Sequence, residues 1–121
     1  MPLRLALYGV NGHQLQGHLA HQPEVRLVAV AAFPRERLTP AQQADTSIRH
    51  HDNLAALLAN PEVDVISFCS PWRRDQAREA IQAMEAGKHV YAEKPCAFSE
   101  AELDAIMATA ARTGRIFHEM A

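Results

Sequence analysis

A chain of 121 residues, 48% hydrophobic and 21% charged, has the size and composition of one domain with one buried core. Its formal net charge of −2 argues against nucleic acid or an anionic membrane surface as the main partner. No apolar run approaches the roughly 18 residues that cross a bilayer.

Met1-Pro2-Leu3-Arg4 runs directly into a strand pattern, so no secretory leader is expected. Leu3 to Tyr8 reads as a mostly buried strand ending at Gly9. Gly12 to His21 carries Leu15, Leu19 and Ala20 at helical spacing and stops before Pro23. Val25 to Ala31 is a second apolar strand. Pro34 to Ser47, with two prolines and several polar residues, reads as the most linker-like segment. Asp52 is placed to cap a helix burying Leu54, Leu57 and Leu58, which Asn60-Pro61 ends. Val63 to Cys69 is a third strong strand. Arg73 to Ala86 presents Ala77, Ala80, Ile81 and Met84 on one helical face, with Gly87 at the stop. Val90-Tyr91-Ala92 is the next strand. Ser99 and Glu102 form a predicted capping box for a helix burying Leu103, Ile106, Met107 and Ala110, and Gly114 stops it. Arg115 to His118 begins a last strand.

Strands and helices alternate, and the strands are apolar on both faces. That pattern predicts an α/β fold, a doubly wound parallel sheet with helices on both faces, as a single domain over residues 1–121. Ligands of such sheets sit beyond the C-terminal strand ends, where strand order reverses. Four loops reach that rim: Gly9 to His13, Ala32 to Arg37, Ser70 to Trp72, and Glu93-Lys94-Pro95.

In the first, Gly9-Val10-Asn11-Gly12-His13-Gln14, only Gly9 fits the three-glycine dinucleotide fingerprint. Asn11 tolerates a left-handed turn and Gly12 leaves room for close approach. Amides here attract a pyrophosphate, and His13 is placed to donate to an anion. At the end of the second strand, Ala32 stands where an acid usually meets the adenosine ribose. Arg35 or Arg37 can face a 2′-phosphate instead, which leans toward NADP; a solvated charged loop is the competing reading. Ser70-Pro71-Trp72 can lie against a cofactor's ribose or nicotinamide side, with Trp72 stacking on a flat ring or simply packing. His18 with His21, and His50-His51, lack a third ligand at metal-site spacing and read as surface residues. The two cysteines, Cys69 and Cys96, also lack metal-site spacing, and reduced thiols in a cytoplasmic protein are expected. Cys96 has no identifiable activating partner.

The run Ala86 to Pro95, Ala-Gly-Lys-His-Val-Tyr-Ala-Glu-Lys-Pro, resembles the signature of the Gfo/Idh/MocA oxidoreductase family. The Gly9 turn, the Val25–Ala31 strand, Leu57-Leu58, Pro61 to Asp64, Ser70-Pro71 and the Ser99–Gly114 helix agree in order and spacing. The resemblance implies a Rossmann-type domain that binds NAD or NADP, with Gly9, Asn11, Gly12, His13, Arg35, Ser70, Pro71, Trp72, Glu93 and Lys94 toward the cofactor. It also implies that Lys94 lies near nicotinamide and substrate as the catalytic residue, with Glu93 orienting it. Family members transfer hydride to or from sugars, polyols or related carbonyl compounds. The resemblance and the abrupt strand end together raise the expectation of a cis Lys94-Pro95 bond. Asn11, Gln14, Ala32, Trp72 and Asp75 depart from the family pattern.

Family members also carry a second α/β domain that binds substrate and often forms oligomers. None is visible in these 121 residues. The resemblance therefore implies a cofactor domain whose small-molecule substrate requires a second domain or partner chain, and which can form a homo-oligomer. The alternative is a non-catalytic nucleotide-sensing or partner-docking module.

Overall fold

The computed structural model describes residues 1–121. Six strands form one parallel sheet in the order β3-β2-β1-β4-β5-β6. They are β1 (Leu3–Tyr8), β2 (Val25–Ala31), β3 (Arg49–His51), β4 (Val65–Phe68), β5 (His89–Ala92) and β6 (Phe117–Glu119). Strand order reverses between β1 and β4, which pair directly from Leu5↔Val65 to Tyr8↔Phe68. This is the predicted doubly wound, Rossmann-like layout.

Alternation along β1 sorts its side chains to two faces. Ala6 and Tyr8 join the larger apolar cluster with Ile66, Phe68 and Val90. The helices α2 (Leu54–Leu58), α3 (Gln76–Glu85) and α4 (Glu100–Thr113) cover that cluster through Leu57, Ala80, Met84 and Ile106. Leu5 and Leu7 join the smaller cluster, closed by Leu38 and Ile48 with Leu15 and Leu19 at its edge. Phe68, Leu57 and Ile106 are completely buried, each contributing about 1.5–3 kcal/mol of transfer free energy. No helix is long and apolar enough to cross a membrane.

Several elements differ from the sequence reading. The predicted Gly12–His21 helix is only a 3-10 segment, Gln16–His21, and its stripe still packs inward through Leu15 and Leu19. The Pro34–Ser47 segment holds a short helix, α1 (Pro40–Ala44), started by a Thr39–Gln42 capping box. β3 follows it at the sheet edge, with His50 opposite Val30. The α2 cap is Asn53, whose side chain accepts from the Ala56 amide, rather than Asp52. Ser99 caps α4 as expected, but Glu102 reaches one residue further back, to the Phe98 amide. Of the predicted apolar face of α4, Ile106 is buried while Leu103 and Met107 are exposed. Thr109 is buried instead, its hydroxyl satisfied by the Ala105 carbonyl one turn back.

Candidate functional site

The four rim loops meet over the β1/β4 switch point. β1 ends at Gly9, in a left-handed conformation (φ +77°). A Cβ there would overlap the Cys69 carbonyl oxygen, so no other residue lets this turn cross the end of β4. The Asn11 amide donates to that carbonyl at 3.1 Å, and the Asn11 side chain reaches the Pro71 carbonyl. The amides of Val10, Gly12 and Gln14 donate to nothing within the chain. Because the segment that follows is a short 3-10 run, the unpaired donors at this turn are loop amides, not a helix N-terminus.

Beside the loop lies an open cleft of about 670 Å³, lined by Val10, Asn11, Ala32, Phe33, Pro34 and Pro71. No lining residue carries a carboxylate. Ala32 adopts φ +50°, unusual for a residue with a side chain, and turns the chain away from the end of β2. Arg35 and Arg37 sit on an exposed 3-10 turn just beyond. The Arg35 guanidinium donates to the Gln43 carbonyl at 2.6 Å.

The β5 end meets the Gly9 loop at His13. Its Glu93 side chain is buried, and both carboxylate oxygens lie 2.8 Å from His13 Nδ1. The His13 amide donates to one of them at 2.5 Å and the Lys94 amide to the other at 3.2 Å. Burial by itself raises the Glu93 pKa, but the bonds from His13 and Lys94 outweigh it and hold the carboxyl below its ordinary value. Glu93 therefore touches Lys94 through the backbone, not through the ammonium. The Lys94 side chain is exposed and makes no hydrogen bond or ion pair. The Lys94-Pro95 bond is cis, as expected.

Two residues outside the predicted site hold this strand end in place. Gln76, 1% exposed at the start of α3, accepts from the Ser70 amide and donates to the Glu93 carbonyl, tying the β4 and β5 ends together. Arg73 donates to the Glu93 and Pro95 carbonyls at 3.1 and 2.9 Å. Only their place in the turn after a strand-end Ser-Pro pair hinted at them.

The predicted site residues thus divide. Asn11, Gly12, His13, Arg35, Pro71, Trp72 and Lys94 are exposed on the rim, whereas Gly9 is buried beneath the turn it makes, against the Cys69 carbonyl. Ser70 does not present its side chain there: it is fully buried, because its backbone is held down by Gln76. Glu93 is likewise buried and supports the rim from beneath. The Cys69 and Cys96 thiols are each pushed up to about 11, chiefly by burial, with Glu93 adding to the shift at Cys69 and Glu119 at Cys96. Neither is an activated nucleophile.

Comparison with known proteins agrees with this fold. The Gfo/Idh/MocA family model, described as an oxidoreductase family with an NAD-binding Rossmann fold, matches residues 3–120. The chain is 29% identical over 116 residues to 4-carboxy-2-hydroxymuconate-6-semialdehyde dehydrogenase of a Sphingobium strain, covering 96% of this chain and 36% of that protein. It is 37% identical over 98 residues to galactose 1-dehydrogenase of Pseudomonas fluorescens, covering 78% and 29%. Biliverdin reductase from Synechocystis, solved with biliverdin and NADP+, superposes with a TM-score of 0.79 at 25% identity, covering 98% of this chain and 38% of that one. The chain thus spans between 29% and 38% of the length of these relatives.

Proposed function

Because the chain belongs to the Gfo/Idh/MocA oxidoreductase family, with its NAD-binding Rossmann fold, we propose that residues 1–121 are the cofactor domain of a cytoplasmic NAD(P)-dependent oxidoreductase. The reaction is hydride transfer to or from a sugar, polyol or related carbonyl compound. The substrate side of the site comes from a second domain or a partner chain. The observation that carries this reading is the convergence of the Gly9 loop, the Ala32–Pro34 cleft and the Lys94 strand end across one switch point.

The residues fit a dinucleotide. The cleft lined by Ala32, Phe33, Pro34 and Pro71 would hold the adenosine half. The unpaired amides of Val10, Gly12 and Gln14, made accessible by the tight Gly9 turn, take the pyrophosphate. Trp72, 69% exposed, would be free to stack on the nicotinamide end. When bound, the cofactor supplies the hydride chemistry. The absence of an acid along the cleft favours NADP over NAD, with Arg35 and Arg37 near enough in sequence to meet a 2′-phosphate.

Lys94 is the catalytic residue in this reading. Its ammonium is unengaged, and its backbone is held by the bond to Glu93 and by the Arg73 and Gln76 clamps on the residues beside it. A fixed root with a free head is what polarising a carbonyl oxygen, or passing a proton to it, requires.

Amide chemical-shift mapping with NADPH tests the placement. The reading expects the largest changes at Val10, Asn11, Ala32 and Lys94. Changes confined to the separate hollow around Leu19, Val25 and Ile48 would contradict it.

A further inference from the structure

The contact between His13 and Glu93 does more than fasten two loops. Glu93 is 3% exposed, whereas the His13 side chain is 61% exposed. A buried carboxylate held below its ordinary pKa carries no proton to donate. The hydrogen between it and His13 Nδ1 therefore belongs to the imidazole, which fixes the Nδ1–H tautomer. In the neutral ring the remaining nitrogen, Nε2, then carries only a lone pair.

That leaves a conflict at a phosphate site. Phosphate oxygens also offer only lone pairs, so a neutral His13 whose Nε2 met a phosphate oxygen would have no hydrogen to give it. One proton on Nε2 removes the conflict. The ring becomes a donor on both sides and places a positive charge between two negative ones.

We infer that the His13–Glu93 pair takes up a proton as the dinucleotide binds, His13 bridging the buried carboxylate and a phosphate oxygen as an imidazolium. This rests on the reading that the Gly9–Gln14 loop receives the pyrophosphate. The proton comes from solvent and bonds to the Nε2 lone pair, no other bond forms or breaks, and the site gains one positive charge.

The surrounding groups leave His13 as the one to charge. From the β4 end, the Cys69 thiol lies 3.3 Å from the His13 carbonyl oxygen and is neutral near pH 7, its pKa pushed up to about 11. From the β5 end come Glu93, already ionised, and Lys94, whose backbone amide contacts that same carboxylate. From the turn before α3, Arg73 is engaged with the carbonyls of Glu93 and Pro95. Within the loop, Asn11 and Gln14 are uncharged, and Gln14 is bound to the Val10 and Gly12 carbonyls.

The test is calorimetric titration of the chain with NADPH at about pH 8, the upper edge of imidazole titration, in buffers of differing ionisation enthalpy. The inference expects uptake approaching one proton per cofactor, none in His13→Phe, and binding that weakens up to about tenfold per pH unit as pH rises. Nitrogen NMR of the His13 ring gives a readout independent of the variant. It should change from the neutral Nδ1–H form to the doubly protonated form when NADPH is added. Binding without proton uptake, uptake unchanged in His13→Phe, or a ring that stays neutral at saturation would each overturn the inference while leaving the cofactor reading intact. No binding at any pH would overturn both.

Discussion

The carboxylate of Glu93 occupies the space a side chain on Gly12 would need. A Cβ built on Gly12 runs into the Glu93 carboxylate and its Cγ. Gly12 thus serves the contact between the first rim loop and the β5 end, and through it the bond from Glu93 to the Lys94 amide. The Gly9–Gln14 loop and the Lys94 strand end form one mechanical unit.

Gly12→Ala should therefore force Glu93 or the loop to move, costing about 1–3 kcal/mol as an overpacking substitution. Gly9→Ala should cost more than Gly12→Ala. Its clash is with the backbone of Cys69 rather than a side chain, and its φ of +77° disfavours any Cβ. Urea denaturation midpoints of the two variants give the order directly; equal stability to wild type in both would contradict the geometry.

Phe68→Ala should destabilise the fold by about 3–5 kcal/mol, because Phe68 is completely buried and packs edge-on against Tyr8 at 5.5 Å. Met107→Ala should stay within about 0.5 kcal/mol of wild type, since Met107 is 61% exposed. The same denaturation series separates them.

Stability should fall with acid in two stages. His51 and His89 are both lowered by burial, with Arg49 and Arg115 adding to the effect, so the unfolded chain binds their protons more readily than the folded one. The Ile116 amide donates to His89 Nδ1 at 2.9 Å, a bond that protonation of that nitrogen breaks. Their contribution is present above about pH 6.5 and is lost as pH falls through the lowered folded values. Asp64 is lowered by the paired bonds from Arg4, and Glu93 by its His13 and Lys94 bonds that outweigh burial. Their contribution is present above the ordinary carboxylate range and is lost as pH falls below it. Urea midpoints measured from neutral to acid pH should show both stages, and His89→Gln, which keeps an acceptor, should shrink the first. A flat profile from neutrality down to the carboxylate range would contradict this assignment.

Both cysteines should resist alkylation in the native protein at mildly alkaline pH and react once it is unfolded. They are free, buried and held as thiols with pKa values of about 11. A thiol-reactive chromophore follows this without perturbing the fold.

The sheet and its switch point were legible because β1, β2, β4 and β5 are short apolar runs punctuated by Gly9, Gly87 and proline-bearing loops. The rim followed, since topology sends every strand end to one side. The shortened helix after Gly12 was not legible: Leu15 and Leu19 satisfy helical spacing and 3-10 packing alike. α1 and β3 were hidden by polar composition at a sheet edge where little is buried. Leu103 and Met107 kept helical periodicity, yet the helix turns them away from the sheet. In the site, Gly9 and Lys94 stood out by motif. Ser70 and Glu93 carried the right signal with the wrong orientation, because their burial depends on Gln76 and His13, partners distant in sequence.

Calorimetric titration of the chain with NADH and with NADPH tests the central claim most directly. The cofactor-domain reading predicts saturable one-to-one binding, tighter for NADPH, with the preference for NADPH lost in Ala32→Asp as the new carboxylate repels a 2′-phosphate. Failure of either dinucleotide to bind at millimolar concentration would contradict it.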